Sequence, residues 1–147
     1  MGASRGGGAV VSGEVVGNWR LVSYETIDGT GRRGTPYGAA VGRLTYDERG
    51  NMSGQVMRPN RARVERGEGS AQQVRAAYIG YIAYFGTYHV SADGTRVVHH
   101  VEGSLNPAWV GGDQVRAMRF DGHRLILSTE VAKGRQMVTH TLTWERC

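Results

Sequence analysis

Short β-rich segments joined by tight turns are the feature that most limits what this 147-residue chain can fold into. Three connections have the composition of hairpin turns: Glu48-Arg49-Gly50, Asp93-Gly94 and Gly122-His123. The 23 glycines and three prolines of the sequence favour many such turns over long helices. Because consecutive hairpins form an up-and-down meander, we predict that the strands pair antiparallel in chain order.

The pattern of β-branched and aromatic residues between the turns predicts eight strands. They span residues 18–27, 41–47, 51–57, 84–92, 96–104, 114–121, 124–130 and 137–146. Eight such strands close naturally into a barrel, because closure removes the unpaired edges of an open sheet. We therefore predict an all-β fold, an eight-stranded antiparallel up-and-down barrel. It forms a single domain over residues 14–147, after a Gly- and Ser-rich leader, residues 1–13, that is predicted to be disordered.

One helix interrupts this pattern between the third and fourth predicted strands. Ser70-Ala71-Gln72-Gln73 is a capping-box sequence, and apolar residues follow it at helical spacing. We predict a helix over residues 71–82 whose apolar, tyrosine-bearing face packs across one end of the barrel.

Composition argues against several classes of protein. The net charge is +5, but the arginines are mixed with acids, whereas a nucleic-acid surface needs a continuous basic stripe with stacking aromatics. No apolar run approaches the roughly 20 residues of a membrane helix, and no signal-peptide core follows the N-terminus. The single cysteine, Cys147, excludes a disulfide within the chain. We expect a cytoplasmic protein without nucleic-acid or membrane partners, and these features are compatible with a homodimer.

The hairpin turns also fix the register, and therefore which side chains share a face. The Asp93-Gly94 turn places Tyr88 opposite His99, and the Gly122-His123 turn places Met118 opposite Leu127. Each of these pairs belongs to an apolar face that we assign to the barrel interior. The candidate lining residues on these faces are Tyr46, Met52, Tyr84, Tyr88, His99, Arg116, Met118, Phe120, Leu127 and His140.

Several motifs, taken in order along the chain, resemble one known family. Gly17-Asn18-Trp19 has the Gly-x-Trp form on the first strand, and Trp144-Glu145-Arg146 closes the last. Between them stand Gly42-Arg-Leu-Thr-Tyr46, Asn51-Met-Ser-Gly-Gln55, Tyr84-Phe-Gly-Thr-Tyr88, Val98-His-His-Val-Glu102, Pro107-Ala-Trp-Val-Gly111, Gln114-Val-Arg116 and Arg124-Leu-Ile-Leu-Ser-Thr129. Together they resemble the bacterial and fungal lipocalin-like domain family from Gly17 to Arg146. The resemblance implies a ligand-holding barrel in which Arg146 covers Trp19. Some members are cofactor-free cyclases or isomerases of specialised metabolism, but the resemblance implies no catalytic residue.

Polar groups within an apolar interior indicate a site with its own chemistry. As catalytic groups we assign His99, Arg116 and Tyr88: an acid or base, a stabiliser of developing negative charge, and a further polar group. The alternative for His99 is a packing role in which Tyr88 holds the ring. The alternative for Arg116 is a structural salt bridge with Glu25 or Glu130.

The remaining interior residues are assigned to substrate contact, and Trp109 joins them from the loop over residues 106–112 at the barrel mouth. They are Tyr46, Met52, Tyr84, Trp109, Met118, Phe120, Leu127 and His140. We expect no metal, because strand alternation brings only His99 and His140 inward, and His100 faces outward. We also expect no cofactor, because no nucleotide-binding motif is present.

Two functions remain after these exclusions. The first is a cofactor-independent cyclase or isomerase acting on a polyketide- or terpenoid-like metabolite, which works by holding the substrate in a reactive conformation. The alternative is a protein that binds or carries a small apolar molecule without converting it.

Overall fold

The computed structural model describes residues 13–147, so the predicted leader lies outside the described residues except for Gly13. The elements are β1 (Gly17–Ile27), β2 (Arg33–Gly34), β3 (Val41–Tyr46), β4 (Asn51–Met57), α1 (Ala71–Ile79), β5 (Tyr81–Val90), β6 (Arg96–Ser104), a 3-10 turn (Pro107–Trp109), β7 (Asp113–Asp121), β8 (Arg124–Lys133) and β9 (Gln136–Arg146). The sheet order is β2-β1-β3-β4-β5-β6-β7-β8-β9, and β1 also pairs with β9. The eight long strands therefore close into the predicted antiparallel barrel, and the two-residue β2 is attached to β1.

The registers predicted from the turns are confirmed by the strand pairing. Tyr88 lies opposite His99 across β5 and β6, and Met118 lies opposite Leu127 across β7 and β8. The main departure is that β5 begins at Tyr81, three residues before the predicted strand. Turn chemistry therefore set the alternation of faces correctly in these hairpins.

One end of the barrel is filled by side chains around Trp19, which has no exposed surface. The indole Nε1 of Trp19 donates to the carbonyl oxygen of Val15 at 2.8 Å. The Arg146 guanidinium lies 4.3 Å from the centre of the Trp19 ring, and it donates to the carbonyl oxygens of Val16 and Glu14. The expectation that Arg146 covers Trp19 is thus confirmed. This cap seals what we call the closed end of the barrel.

The helix α1 begins at the predicted residue but ends three residues early. Its capping box is formed: the Ser70 hydroxyl accepts from the Gln73 amide at 3.1 Å, and the Gln73 side-chain oxygen accepts from the Ser70 amide at 2.8 Å. The prediction that its apolar face packs across the barrel is wrong, because no residue of α1 is buried and Val74 is 51% exposed. Only Gly80 separates α1 from β5, which leaves too little chain for the helix to turn across the opening.

Replacing Ser70 with alanine is expected to loosen α1 without weakening the barrel. Loss of an N-cap costs about 1 kcal/mol, and a helix with no buried residue opens locally rather than with the whole fold. Amide hydrogen exchange within α1 should therefore accelerate about fivefold while the urea midpoint stays unchanged. Ser53→Ala, at an exposed strand position, is the control. The same acceleration in that variant would contradict the capping role.

Candidate functional site

A cavity of about 400 Å³ lies within the barrel at the end opposite Trp19. A volume of this order accommodates a small organic molecule. Its large apolar lining residues are Val56, Ile82, Trp109, Leu127, Val131, Leu142 and Trp144. Its principal polar lining residues are Tyr24, Tyr84, His99, Gln114, Arg116 and His140. The cavity wall thus combines apolar side chains with polar ones that come from β1, β5, β6, β7 and β9.

The structure brings together six of the eleven residues assigned from the sequence. Those at the cavity are Tyr84, His99, Trp109, Arg116, Leu127 and His140. The other five lie towards the closed end and do not line this cavity: Tyr46, Met52, Tyr88, Met118 and Phe120. The hydroxyl of Tyr88 donates to the Asp47 carbonyl oxygen at 2.7 Å, so this tyrosine has a structural partner away from the cavity. Alternation along a strand predicts the face of the sheet but not the depth within the barrel.

Tyr24 lines the cavity and was missed by the sequence analysis. Strict alternation from Trp19 and Leu21 turns Ser23, not Tyr24, towards the interior. The pairing of β1 with β9 shifts between Leu21 and Ser23, and this bulge at Val22 changes which face the following residues occupy. A bulge of this kind has no clear signal in the sequence here.

His99 is the buried centre of the polar cluster, with only 2% of its surface exposed. Its Nε2 lies 2.6 Å from the Tyr46 hydroxyl, and its Nδ1 lies 2.7 Å from the Tyr84 hydroxyl. Burial, assisted by the positive charge of Arg116, lowers the pKa of His99 to about 3. The imidazole is therefore neutral at pH 7 with both nitrogens engaged. Tyr46 and Tyr84 hold it, not Tyr88 as the packing alternative assumed.

The hydrogen-bond chain has a preferred direction. Tyr46 is buried, and among the described residues its hydroxyl has one hydrogen-bond partner, His99. If His99 donated to Tyr46, the Tyr46 hydrogen would be buried without an acceptor, at a cost of about 1–3 kcal/mol. Tyr46 therefore donates to Nε2, and the proton on Nδ1 is donated to Tyr84. This direction leaves the hydroxyl hydrogen of Tyr84 free for an acceptor in the cavity.

Arg116 brings a positive charge to the same part of the cavity. Its guanidinium donates to the Gln114 side-chain oxygen at 3.0 Å and to the Val115 carbonyl oxygen at 3.1 Å. The alternative salt bridge with Glu25 or Glu130 is not formed: within residues 13–147 neither acid pairs with Arg116. The contacts with Gln114 and Val115 are to neighbours on its own strand, and Arg116 also hydrogen-bonds the Tyr84 hydroxyl of β5. Since none of the three partners is an acid, the charge is held in place without being neutralised.

A second tyrosine–histidine pair lies towards the cavity mouth. The Tyr24 hydroxyl is 2.8 Å from Nδ1 of His140. The pKa of Tyr24 is raised to about 12, and burial is the main cause. The pKa of His140 is lowered by burial together with the charges of Arg116 and Lys133. Both groups are thus favoured in their neutral forms, as hydrogen-bonding groups on the wall.

The remaining histidine cluster lies outside the barrel. His100, half-exposed as the predicted outward position requires, places Nδ1 2.5 Å from the Asp113 carboxylate and Nε2 3.2 Å from His89. No group of three or more His, Cys, Asp or Glu side chains within the described part of the chain is placed to hold a metal ion. This cluster therefore does not contribute to the cavity.

Comparison with known proteins agrees with this architecture. The chain matches the family model described as "Lipocalin-like domain" over residues 16–147, and it belongs to that family. A relative in Aspergillus oryzae (strain ATCC 42149 / RIB 40) is named a 4'-hydroxy-3'-methoxypropiophenone carrier protein. The two are 38% identical over 87 residues, which cover 53% of this chain and 78% of the relative. No helix in residues 13–147 has the length and apolar character needed to cross a membrane.

Proposed function

We propose that the barrel binds and carries a small, largely apolar organic molecule that presents a hydrogen-bond acceptor such as a ketone. The observation that carries this proposal is the apolar cavity in which the hydroxyl of Tyr84 and the guanidinium of Arg116 meet. Both are donors, and neither is neutralised by a carboxylate in the described residues. The related carrier protein, whose name specifies an aryl ketone, supports the same class of ligand.

Some lining residues contribute to the affinity for a ligand, and others fix its orientation. Leu127 and Leu142 offer apolar surface that becomes shielded from water when a ligand enters. Trp109, from the 3-10 turn, packs edge-on against the Tyr84 ring with centroids 5.9 Å apart. That contact fixes the Tyr84 ring, and the hydrogen bond with His99 fixes the Tyr84 hydroxyl. A ketone oxygen at the Tyr84 hydroxyl would therefore be fixed in one orientation.

A cofactor-free cyclase or isomerase is the second candidate. It is favoured by the chain of hydrogen bonds from Tyr84 through His99 to Tyr46, with the Arg116 charge at the cavity end. Such a group would stabilise negative charge that develops on a substrate oxygen during enolisation. The low pKa of His99, about 3, makes it a weak proton acceptor and argues against this histidine as a general base near neutral pH. We therefore place carriage before catalysis.

The hydrogen bond from Tyr84 is tested by a pair of tyrosine variants and a pair of ligands. Tyr84→Phe is expected to weaken propiophenone binding about fivefold, the value of one neutral hydrogen bond, and to leave propylbenzene binding unchanged. Tyr88→Phe, whose hydroxyl is bonded to Asp47 at the closed end, should change neither. Isothermal titration calorimetry measures all four affinities. Equal losses for both ligands, or no propiophenone binding by the parent protein, would overturn the proposal.

Carriage and catalysis are separated by following the ligand itself. The parent protein is incubated in D₂O with 4'-hydroxy-3'-methoxypropiophenone and the α-carbon hydrogens are followed by NMR. A carrier returns the ketone with deuterium incorporated no faster than in buffer. Protein-dependent exchange that Arg116→Met abolishes would instead establish enolisation and favour the second candidate.

A further inference from the structure

A second concave space lies outside the mouth of the cavity. This mouth groove, of about 640 Å³, runs between the connection from β1 to β2 and the hairpin that joins β8 to β9. Val131 and His140 line both the mouth groove and the barrel cavity. The two spaces are therefore adjacent, and a molecule seated in one can extend to the other.

The mouth groove is positively charged. Arg32, Arg33 and Lys133 line it, against a single carboxylate, Asp28. That carboxylate is occupied by its own loop: Oδ1 accepts from the Thr30 hydroxyl at 2.6 Å and from the amides of Thr30 and Arg32 at 2.9 and 3.0 Å. None of the three cations forms a salt bridge within residues 13–147.

We propose that the mouth groove binds an anionic group carried by the same small molecule whose apolar body occupies the barrel. This inference rests on the proposed function, because it assumes a ligand in the cavity. The ligand class then becomes an amphipathic organic acid with three parts: an apolar body, an acceptor at Tyr84 and Arg116, and a carboxylate-like end at Arg32, Arg33 and Lys133.

The electrostatic potential at the boundary between the cavity and the mouth groove also supports an anionic group in the groove. His140 stands there, and its pKa is lowered by burial, by Arg116 from the cavity side and by Lys133 from the groove side. Positive potential thus extends from the groove into the cavity. A concave basic surface of this kind raises the local concentration of small anions and orients their entry, acid end outward.

A matched pair of fluorescent probes tests the charge requirement. 1-Anilinonaphthalene-8-sulfonate and N-phenyl-1-naphthylamine share one aromatic body, and only the first carries a sulfonate. The groove variant is Arg32→Gln/Arg33→Gln/Lys133→Gln. Its control, Arg49→Gln/Arg96→Gln/Arg119→Gln, removes the same charge from exposed positions elsewhere on the barrel. Thermal melts of both variants verify that they fold.

The groove variant is expected to bind the sulfonate probe about tenfold more weakly, since each exposed ion pair contributes a few-fold at most. Its affinity for the uncharged probe should not change, and the control variant should match the parent protein with both probes. Salt should weaken sulfonate binding to the parent and not to the groove variant. Equal changes for the two probes, or no change for either, would overturn the groove proposal. If the parent protein bound neither probe, that result would instead contradict the proposed function.

Discussion

Lowering the pH from 7 to 4.5 is expected to reduce the free energy of unfolding by about 3 kcal/mol, on account of His99. In the folded protein the pKa of His99 is lowered to about 3, whereas in the unfolded chain it has its ordinary value of 6.5. At a pH between these two pKa values, His99 is protonated in the unfolded chain and neutral in the folded protein. Acid therefore favours unfolding, and the stability that is fully present above pH 6.5 falls as the pH drops towards 3. Against a typical total of 5–15 kcal/mol, this is a large share.

The window from pH 6.5 to 5 isolates the histidines from the carboxylates, because Glu145, whose pKa is lowered from 4.5, loses its contribution only near and below that value. Hydrogen bonds from Ser91 and Thr95 lower the pKa of Asp93 to about 2. Asp93 therefore loses its contribution to stability only at a pH below 3.8, its ordinary pKa. His99→Gln keeps an acceptor for Tyr46 and a donor for Tyr84, so the variant should fold with a much flatter pH profile. His140→Gln, at a half-buried histidine whose pKa is also lowered, measures the smaller contribution. Urea titrations at several pH values give the slope of the free energy of unfolding against pH for each protein. Identical slopes for the parent and His99→Gln would exclude His99 as the source of the pH dependence.

The fold was predictable because its determinants are local. Hairpin turns such as Asp93-Gly94 set the register of the strands beside them, and the observed pairing of Tyr88 with His99 follows from that turn alone. The helix start was equally local, since Ser70 and Gln73 satisfy each other's backbone. The packing of α1 was not predictable from periodicity, which indicates an apolar face but not whether a partner lies within reach.

The candidate site was only partly predictable because a barrel interior is divided along its axis. Tyr46 and Tyr84 both contact His99, yet Tyr84 lines the cavity while Tyr46 is buried beneath it. The strand pattern of the sequence is the same for both residues. The bulge at Val22, which turns Tyr24 inward, is a further event that alternation does not encode. The depth of each residue emerges only when the eight strands close.

Arg116→Met is expected to weaken binding of an aryl ketone such as propiophenone about thirtyfold. A hydrogen bond from a charged donor contributes about 1.5–3 kcal/mol, and methionine retains much of the apolar stem without the guanidinium. The loss should exceed the fivefold loss of Tyr84→Phe, whose bond is between neutral groups. Propylbenzene, which has no acceptor, should bind Arg116→Met as well as the parent protein.

The matched control for this variant lies three residues further along β7. Arg119 is exposed, whereas Arg116 lines the cavity, so Arg119→Met removes the same charge from the same strand without altering the site. Arg116→Lys keeps the charge but loses the planar fork that Gln114 and Val115 hold in place, and it should recover only part of the affinity. Calorimetry with the parent and the three variants ranks them. If Arg119→Met weakened ketone binding as much as Arg116→Met, the effect would come from net charge, and Arg116 would have no direct contact with the ligand.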